Sequence, residues 1–259
     1  MKDIKIIIAA HKKYRMPDDD IYLPLQVGAA GKEKLGYLTD DTGDNISQKN
    51  PYYCELTGIY WAYKNLDAEY IGLAHYRRHF ICKKLNKKDR FSSLMTREET
   101  EQRLKNFDII LPRMRNYYIE NLYDHYENTL KSGHLEKTRE IIKIKCPEYL
   151  TEFDKLHIRK KAHMFNMFVM KKEIFDKYCE WLFDILFELE KQIDPSKYDA
   201  FHARYLGRVS ELLLDVWINT NAYDYCEVKV ADMEKVNMIK KGFAFLAAKF
   251  FKKSYKKSF

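Results

Sequence analysis

The chain has 259 residues, 46 Lys and Arg against 38 Asp and Glu, and 15% aromatics with only 9 Gly and 6 Pro. That length suits one large α/β domain or two small ones with a sizeable core, and the composition excludes a loop-dominated or low-complexity protein. Of the net charge of +8, seven units come from lysines in residues 238–259, a stretch without acids, so the preceding 237 residues sit near +1 and argue against a nucleic-acid-binding face.

Ile4–Ala10, IKIIIAA, is a continuous apolar run and reads as a strand buried on both faces of a parallel sheet. It is too short and too closely flanked by charge to read as a signal peptide, and no segment approaches the ~20 apolar residues of a membrane span. The small residues Ala9 and Ala10, followed by His11, leave room for a ligand against the backbone. Asp18, Asp19 and Asp20 read as a solvated turn. Next comes an acidic, Gly-bearing loop with Asp40, Asp41, Asp44 and Asn45. Two readings of it stand: ordinary turn chemistry, or acceptors for a uracil ring, ribose hydroxyls or a divalent cation.

Asn50-Pro51 is a helix start, and the apolar stripe Leu56, Ile59, Tyr60 and Tyr63 predicts one helix over residues 52–65, with Glu55 facing the site or solvent, solvent being favoured. A strand over 69–74 then runs into His75, Tyr76, Arg77, Arg78 and His79. Polar and cationic side chains at the carboxyl end of a buried strand suit a ligand floor. Thr96-Arg97-Glu98-Glu99 is a capping box opening a short helix to Asn106, and residues 107–112 read as a second buried strand.

Residues 116–131 and 141–153 carry helical spacing, with His134 read as a surface residue. Residues 163–170 read as a strand, preceded by basic residues and interrupted by the polar Asn166, which is either a satisfied structural group or a ligand contact. Residues 173–191 form a strongly amphipathic helix with Trp181 on its core face. In residues 204–219, Ser210 is a candidate N-cap that sets Glu211 in the first helical turn, facing a cleft or complementing the helix dipole. A last strand is expected over 225–230. The five scattered Cys, without a C-x-x-C pair, indicate free thiols in a reducing compartment. Lys240, Lys241, Lys249, Lys252, Lys253, Lys256 and Lys257 lie among regularly spaced apolar residues, a pattern that fits contact with an anionic membrane surface.

The stretches GDNISQKNPYYCELTGIYWAYKN, YIGLAHYRRHF, MFNMFVMKKEIFDKYCEWLFDILFELEK and GRVSELLLDVW resemble the bacterial capsular and exopolysaccharide glycosyltransferases first catalogued as a domain of unknown function. Some members are assigned as galactofuranosyltransferases. The resemblance runs from about residue 4 to 230. It implies an α/β, GT-A-like single domain over 1–235 with a mostly parallel central sheet flanked by helices; the basic C-terminal helix expected over 236–259 from its own residue pattern lies outside the resemblance. It further implies an inverting transfer of a hexose, galactofuranose in some members, from a UDP-sugar to a lipid-linked saccharide in capsule, exopolysaccharide or O-antigen synthesis. The expected location is cytoplasmic, peripheral at the inner face of the cell membrane, with no nucleic acid as partner.

On this resemblance the donor would lie against Ala10, His11, Asp40, Asp41, Asp44, Asn45, His75, Arg77 and Arg78. Many GT-A enzymes hold a divalent metal through Asp-x-Asp after the central strand, where this chain has His75-Tyr76-Arg77. The departure favours a site in which Arg77 and Arg78 stabilise the leaving UDP without a protein-held metal. It leaves room for Mn or Mg at His75 or the Asp40–Asp44 loop. Glu211 is the expected general base, Asp215 the second choice, and Asn166, His163 and Arg208 the expected contacts to sugar or acceptor. The alternative is a non-catalytic peripheral membrane or saccharide-binding protein, which accounts for the tail but not for Glu211 or the His75–His79 run.

Overall fold

The computed structural model describes residues 1–130 and 133–234. The expected basic helix over 236–259 lies outside the described residues.

The strands among the described residues are β1 (Ile4–Ala10), β2 (Tyr22–Gln26), β3 (Leu38–Thr39), β4 (Tyr70–His75), β5 (Arg78–Ile81), β6 (Ile109–Pro112), β7 (Arg115–Asn116), β8 (Lys161–Ala162), β9 (Phe168–Lys171) and β10 (Cys226–Asp232). The helices are α1 (Asn50–Tyr53), α2 (Leu56–Asn65), α3 (Arg97–Arg103), α4 (Leu122–Leu130), α5 (His134–Lys145), α6 (Leu150–Asp154), α7 (Lys172–Gln192) and α8 (Tyr205–Thr220). They form a mixed α/β single domain. β1 lies between β2 and β4 in parallel register, and β3 extends the parallel half at the far edge. Beyond β4 the direction alternates: β9 is antiparallel to both β4 and β6, β10 is parallel to β6, and β5 is antiparallel to β10. β7 and β8 form a separate antiparallel pair. The expectation of a mostly parallel sheet is therefore corrected. The connections β1–β2 and β2–β3 are helix-free loops and only the passage from β3 to β4 carries helices (α1 and α2), whereas the β4–β5 hairpin, joined at His75 and Arg78, reverses the chain after two residues.

The strand pattern explains the burial. In β1, Ile7 and Ala9 pack on one face with α2, α7 and α8, whereas Ile6, Ile8 and Ala10 pack on the other with Tyr22, Phe80 and Met95. A side chain such as Ile6 or Ile7, essentially inaccessible to water, contributes on the order of 1.5–3 kcal/mol. The Thr96 capping box is formed at α3, with Thr96 Oγ1 accepting from Glu99 N and Glu99 reaching back to Thr96 N.

Three local departures from the expected elements shape the cleft. The helix expected over 52–65 breaks at Cys54, which takes φ 54° and ψ −130°, so Glu55 stands at the head of α2. The strand expected over 163–170 begins only at Phe168, because Phe165 and Asn166 both adopt positive φ (77° and 53°). Non-glycine residues held there cost on the order of 1–3 kcal/mol each and persist where surrounding contacts over-determine them. Lastly, α8 starts at Tyr205, so Ser210 is no N-cap; its hydroxyl donates to Asn166 Oδ1 at 2.7 Å instead. Gly207 permits the close crossing of α8 over α1, since a Cβ there would meet the Cys54 side chain at 3.3 Å. His134, expected on the surface, is buried and stacked on Tyr205 with ring centroids 4.2 Å apart.

Candidate active site

The carboxyl ends of β1 and β4, the β4–β5 hairpin, the α1–α2 break and one face of α8 enclose a cleft of about 830 Å³. Its electrostatics come from seven charged side chains: the carboxylates of Glu55 and Glu211 and the guanidiniums of Arg77, Arg78, Arg115, Arg204 and Arg208. On α8 the contributors Arg204, Gly207, Arg208 and Glu211 recur at i, i+3, i+4 and i+7, which is one helical stripe.

Glu211 lies half-buried in this cleft. Burial and, second, the neighbouring Glu55 carboxylate raise its pKa to about 7, while Arg78, Arg208 and Arg115 pull it back. Glu55 is held from the opposite wall: Asn166 Nδ2 donates to Glu55 Oε1 at 2.7 Å and to Gly207 O at 3.1 Å. The positive-φ backbone at Phe165 and Asn166 turns the Asn166 amide toward α8 and puts Phe165 O 2.7 Å from His75 Nε2. Burial and Arg78 and Arg77 lower the pKa of His75 against the opposing pull of Glu55. Burial, then Arg77, lowers that of His11. Both imidazoles are thereby biased toward the neutral form.

The arginines are individually braced. Arg78 Nε lies 3.2 Å from Asp232 Oδ1, with its guanidinium 4.4 Å from the Phe165 ring centroid. Arg204 Nε donates to Cys54 Sγ at 3.0 Å, and burial raises that thiol to a pKa of about 11, keeping it protonated. Arg208 stacks over Phe201 at 3.9 Å, and its Nη1 is buried with no protein hydrogen-bond partner among the described residues. A pre-oriented guanidinium with an unused donor suits a multi-oxygen anion such as a diphosphate.

Of the residues singled out in the sequence, His11, His75, Arg77, Arg78, Arg208 and Glu211 line the cleft together. The others are placed elsewhere. Ala10 points to the far face of β1, and Ala9 lines the cleft in its place. Asp40 is inaccessible to water and accepts from Gly28 N (2.7 Å), Ala29 N (3.0 Å), Ser47 Oγ (2.5 Å) and Thr57 Oγ1 (2.6 Å), so it closes the loop instead of facing a ligand. Asp41, Asp44 and Asn45 also lie outside the cleft lining. Asp44 accepts from Tyr60 Oη, and Asn45 bridges Gly43 and Ser47. Asp215 and His163 form a buried pair: Asp215 Oδ2 accepts from His163 N at 3.0 Å, Oδ1 lies 2.5 Å from Nδ1, and Glu227 Oε1 lies 3.1 Å from Nε2. Asn166 does not line the cleft; it reaches the cleft residues Glu55 and Gly207 from behind through its amide.

Arg115 and Arg204 are charged cleft residues that the sequence reading does not single out, and Glu55, for which solvent is favoured over the site, lines the cleft. Arg204 carries a signal, standing at the head of α8 in helical phase with Arg208 and Glu211. Glu55 carries an ambiguous one, because its orientation follows from the break at Cys54.

Among the described residues, no group of three or more His, Cys, Asp or Glu is placed to hold a metal ion, and no helix is long and apolar enough to cross a membrane. No curated protein matches the chain. It is similar to the structure of the apo bifunctional glycosyltransferase WbbM, at 31% identity and a TM-score of 0.80, over 90% of this chain and 46% of that one. The chain thus spans about half the length of the solved structure it matches. A family model described as a domain of unknown function, DUF4422, matches residues 5–222, and the chain belongs to that family.

Proposed function

We propose that this chain is an inverting glycosyltransferase of GT-A-like build, with residues 1–235 as its catalytic unit. Its donor is a UDP-hexose, galactofuranose being the sugar the family resemblance favours, and its acceptor is a lipid-linked saccharide at the inner face of the cell membrane. The observation that carries the reading is Glu211, a carboxylate with a pKa near 7, in a cleft that five guanidiniums also line. A general base works best when its pKa lies near the operating pH. In the proposed step, the acceptor hydroxyl oxygen attacks the anomeric carbon and its proton passes to Glu211. The bond from that carbon to the phosphate oxygen breaks, and UDP leaves with the electron pair. Arg77, Arg78 and Arg208 neutralise the charge that develops on the diphosphate, a form of stabilisation worth several kcal/mol in a preorganised site.

The likeness to a bifunctional glycosyltransferase supports the reaction class. The residues fit poorly to a protein-held divalent cation. At the end of β4, where a metal-binding acid pair would stand, are His75, Tyr76 and Arg77, and the cleft acids Glu55 and Glu211 are flanked by arginines.

Calorimetric titration with UDP, GDP and CMP, each with Mn²⁺ and with EDTA, tests the donor assignment. UDP binding that survives EDTA is the expected result. Absence of binding to all three would refute it and favour a non-catalytic saccharide-binding protein. Glu211→Gln should retain UDP binding and lose transfer at least a hundredfold; full turnover would remove Glu211 from the base role.

A further inference from the structure

Beside the cleft mouth, two segments run together and expose apolar side chains that no other described residue covers. β7 pairs with β8. Beyond that pair, Tyr117 N donates to Lys160 O and Leu122 N to Arg159 O, both at 2.8 Å, which clamps residues 117–122 against 158–160. Tyr118, Ile119 and Ile158 project from this clamp at 76, 57 and 74% exposure. Three of the six large hydrophobics that are exposed among the described residues thus gather on one ridge. Tyr118 sits there at φ 54°, a conformation unfavourable for a bulky aromatic, although its ring gains no packing in return.

The surrounding charge is predominantly positive. Arg113, Arg115, Lys160 and Lys161 are exposed on or beside the same two segments. Of the nearby acids, Glu152 is neutralised by ion pairs with Lys155 and Arg159, Glu120 lies 3.1 Å from His125, and Asp124 is exposed, which leaves the cations in excess. A Tyr and two Ile flanked by an excess of Lys and Arg match a bilayer interface, where aromatics and aliphatics enter the headgroup layer and cations meet anionic lipid. Uncovered apolar clusters on a soluble face mark interaction sites, and the excess of cations selects an anionic surface as the occupant.

We infer that the ridge formed by Tyr118, Ile119 and Ile158, with Lys160 and Lys161, docks the protein on an anionic lipid bilayer. The same segments supply Arg115, Tyr117 and Leu122 to the cleft wall, so docking would turn the cleft mouth toward the lipid. The docking stands on the ridge alone. Its consequence, presentation of a membrane-borne acceptor to Glu211, rests on the transferase reading.

The test is sedimentation of the full chain with phosphatidylcholine vesicles, with and without 30% phosphatidylglycerol (about the anionic fraction of many membranes), across a salt series. Wild type should bind only the anionic vesicles and weaken as salt rises. The triple variant Tyr118→Asn, Ile119→Ser, Ile158→Ser should bind them at least tenfold more weakly. Lys160→Glu with Lys161→Glu provides a second variant that leaves the apolar ridge in place and should also lose binding. Unchanged binding by both variants would overturn the inference and assign any membrane affinity to the lysines of residues 240–257. A dimer in wild type that becomes monomeric in the triple variant, with vesicle binding intact, would overturn it in favour of a protein interface. UDP calorimetry on the same samples separates the two readings, since loss of UDP binding by wild type would refute the transferase assignment without touching the vesicle result.

Discussion

Replacing Glu55 by Gln should move the acid limb of the transfer reaction to lower pH. Glu211 titrates near 7 instead of an ordinary 4.5, a difference worth about 3 kcal/mol at about 1.4 kcal/mol per pH unit. Burial is the larger cause and the Glu55 carboxylate the second, opposed by Arg78, Arg208 and Arg115. Gln at position 55 keeps an amide oxygen for the 2.7 Å hydrogen bond from Asn166 and removes the like charge. The burial contribution and the arginines remain, so the limb should fall by about one unit. A general base acts when ionised, hence wild-type kcat/KM should rise through pH 7 and reach a plateau above it. The assay is kcat/KM between pH 5 and 9 with the UDP-sugar identified by calorimetry. A limb that stays at 7, or moves upward, would refute the coupling of the two carboxylates. The same reasoning has a stability counterpart. A carboxyl whose folded pKa is raised costs the fold nothing below pH 4.5 and progressively more as pH climbs to 7. Glu211→Gln should therefore raise the thermal midpoint at pH 8, by up to about 3 kcal/mol in stability, while abolishing transfer.

Three further outcomes follow from the surrounding framework. Asp40→Ala strips four donors of their buried acceptor and should cost about 3 kcal/mol or more, read as a lowered denaturation midpoint; a stable variant with weakened UDP binding would instead return Asp40 to the donor site. His163 is buried, which lowers its pKa, but Asp215 and Glu227 outweigh burial and leave it raised. Its stabilising contribution is thus full below about pH 6.5 and lost as pH rises through the folded value. His163→Gln should flatten the fall in urea stability between pH 6 and 9, and an unchanged slope would dismiss the pair as its source. Arg78→Lys keeps a charge but loses the planar fork braced by Asp232 and Phe165; UDP affinity should drop about tenfold or more with little change in melting, and equal affinity would place the diphosphate elsewhere.

What the sequence discloses depends on how locally each feature is determined. The β1 run and the Thr96 capping box follow from a few adjacent residues, and both form as expected. Glu211 is legible as a cleft residue, though for a different reason from the one first available: it faces inward through its phase on a helix that begins at Tyr205, not by standing at a helix start. Asp40 and Asp215 show the opposite case. Their polarity marks them as candidates, yet each is saturated by partners from distant segments, and composition cannot distinguish a buried acceptor from an exposed ligand. The side on which Glu55 falls is ambiguous because the expected helix over 52–65 runs on through Cys54. Only the packing of Gly207 against Cys54 and the Asn166 anchor reveal why the helix breaks there.

The family match ends at residue 222, whereas β10 occupies 226–232 and is inserted between β5 and β6. Its last residues grip the arginine hairpin: Met233 N donates to Arg77 O at 2.7 Å, and Asp232 pairs with Arg78. The stretch matched by the family model is therefore shorter than the unit that folds. A polypeptide terminated at the family boundary would leave two unpaired strand edges in the interior of the sheet, an invitation to aggregation, and would release the very guanidiniums assigned to the diphosphate. Any attempt to move this domain into another polypeptide has to carry the chain through Glu234.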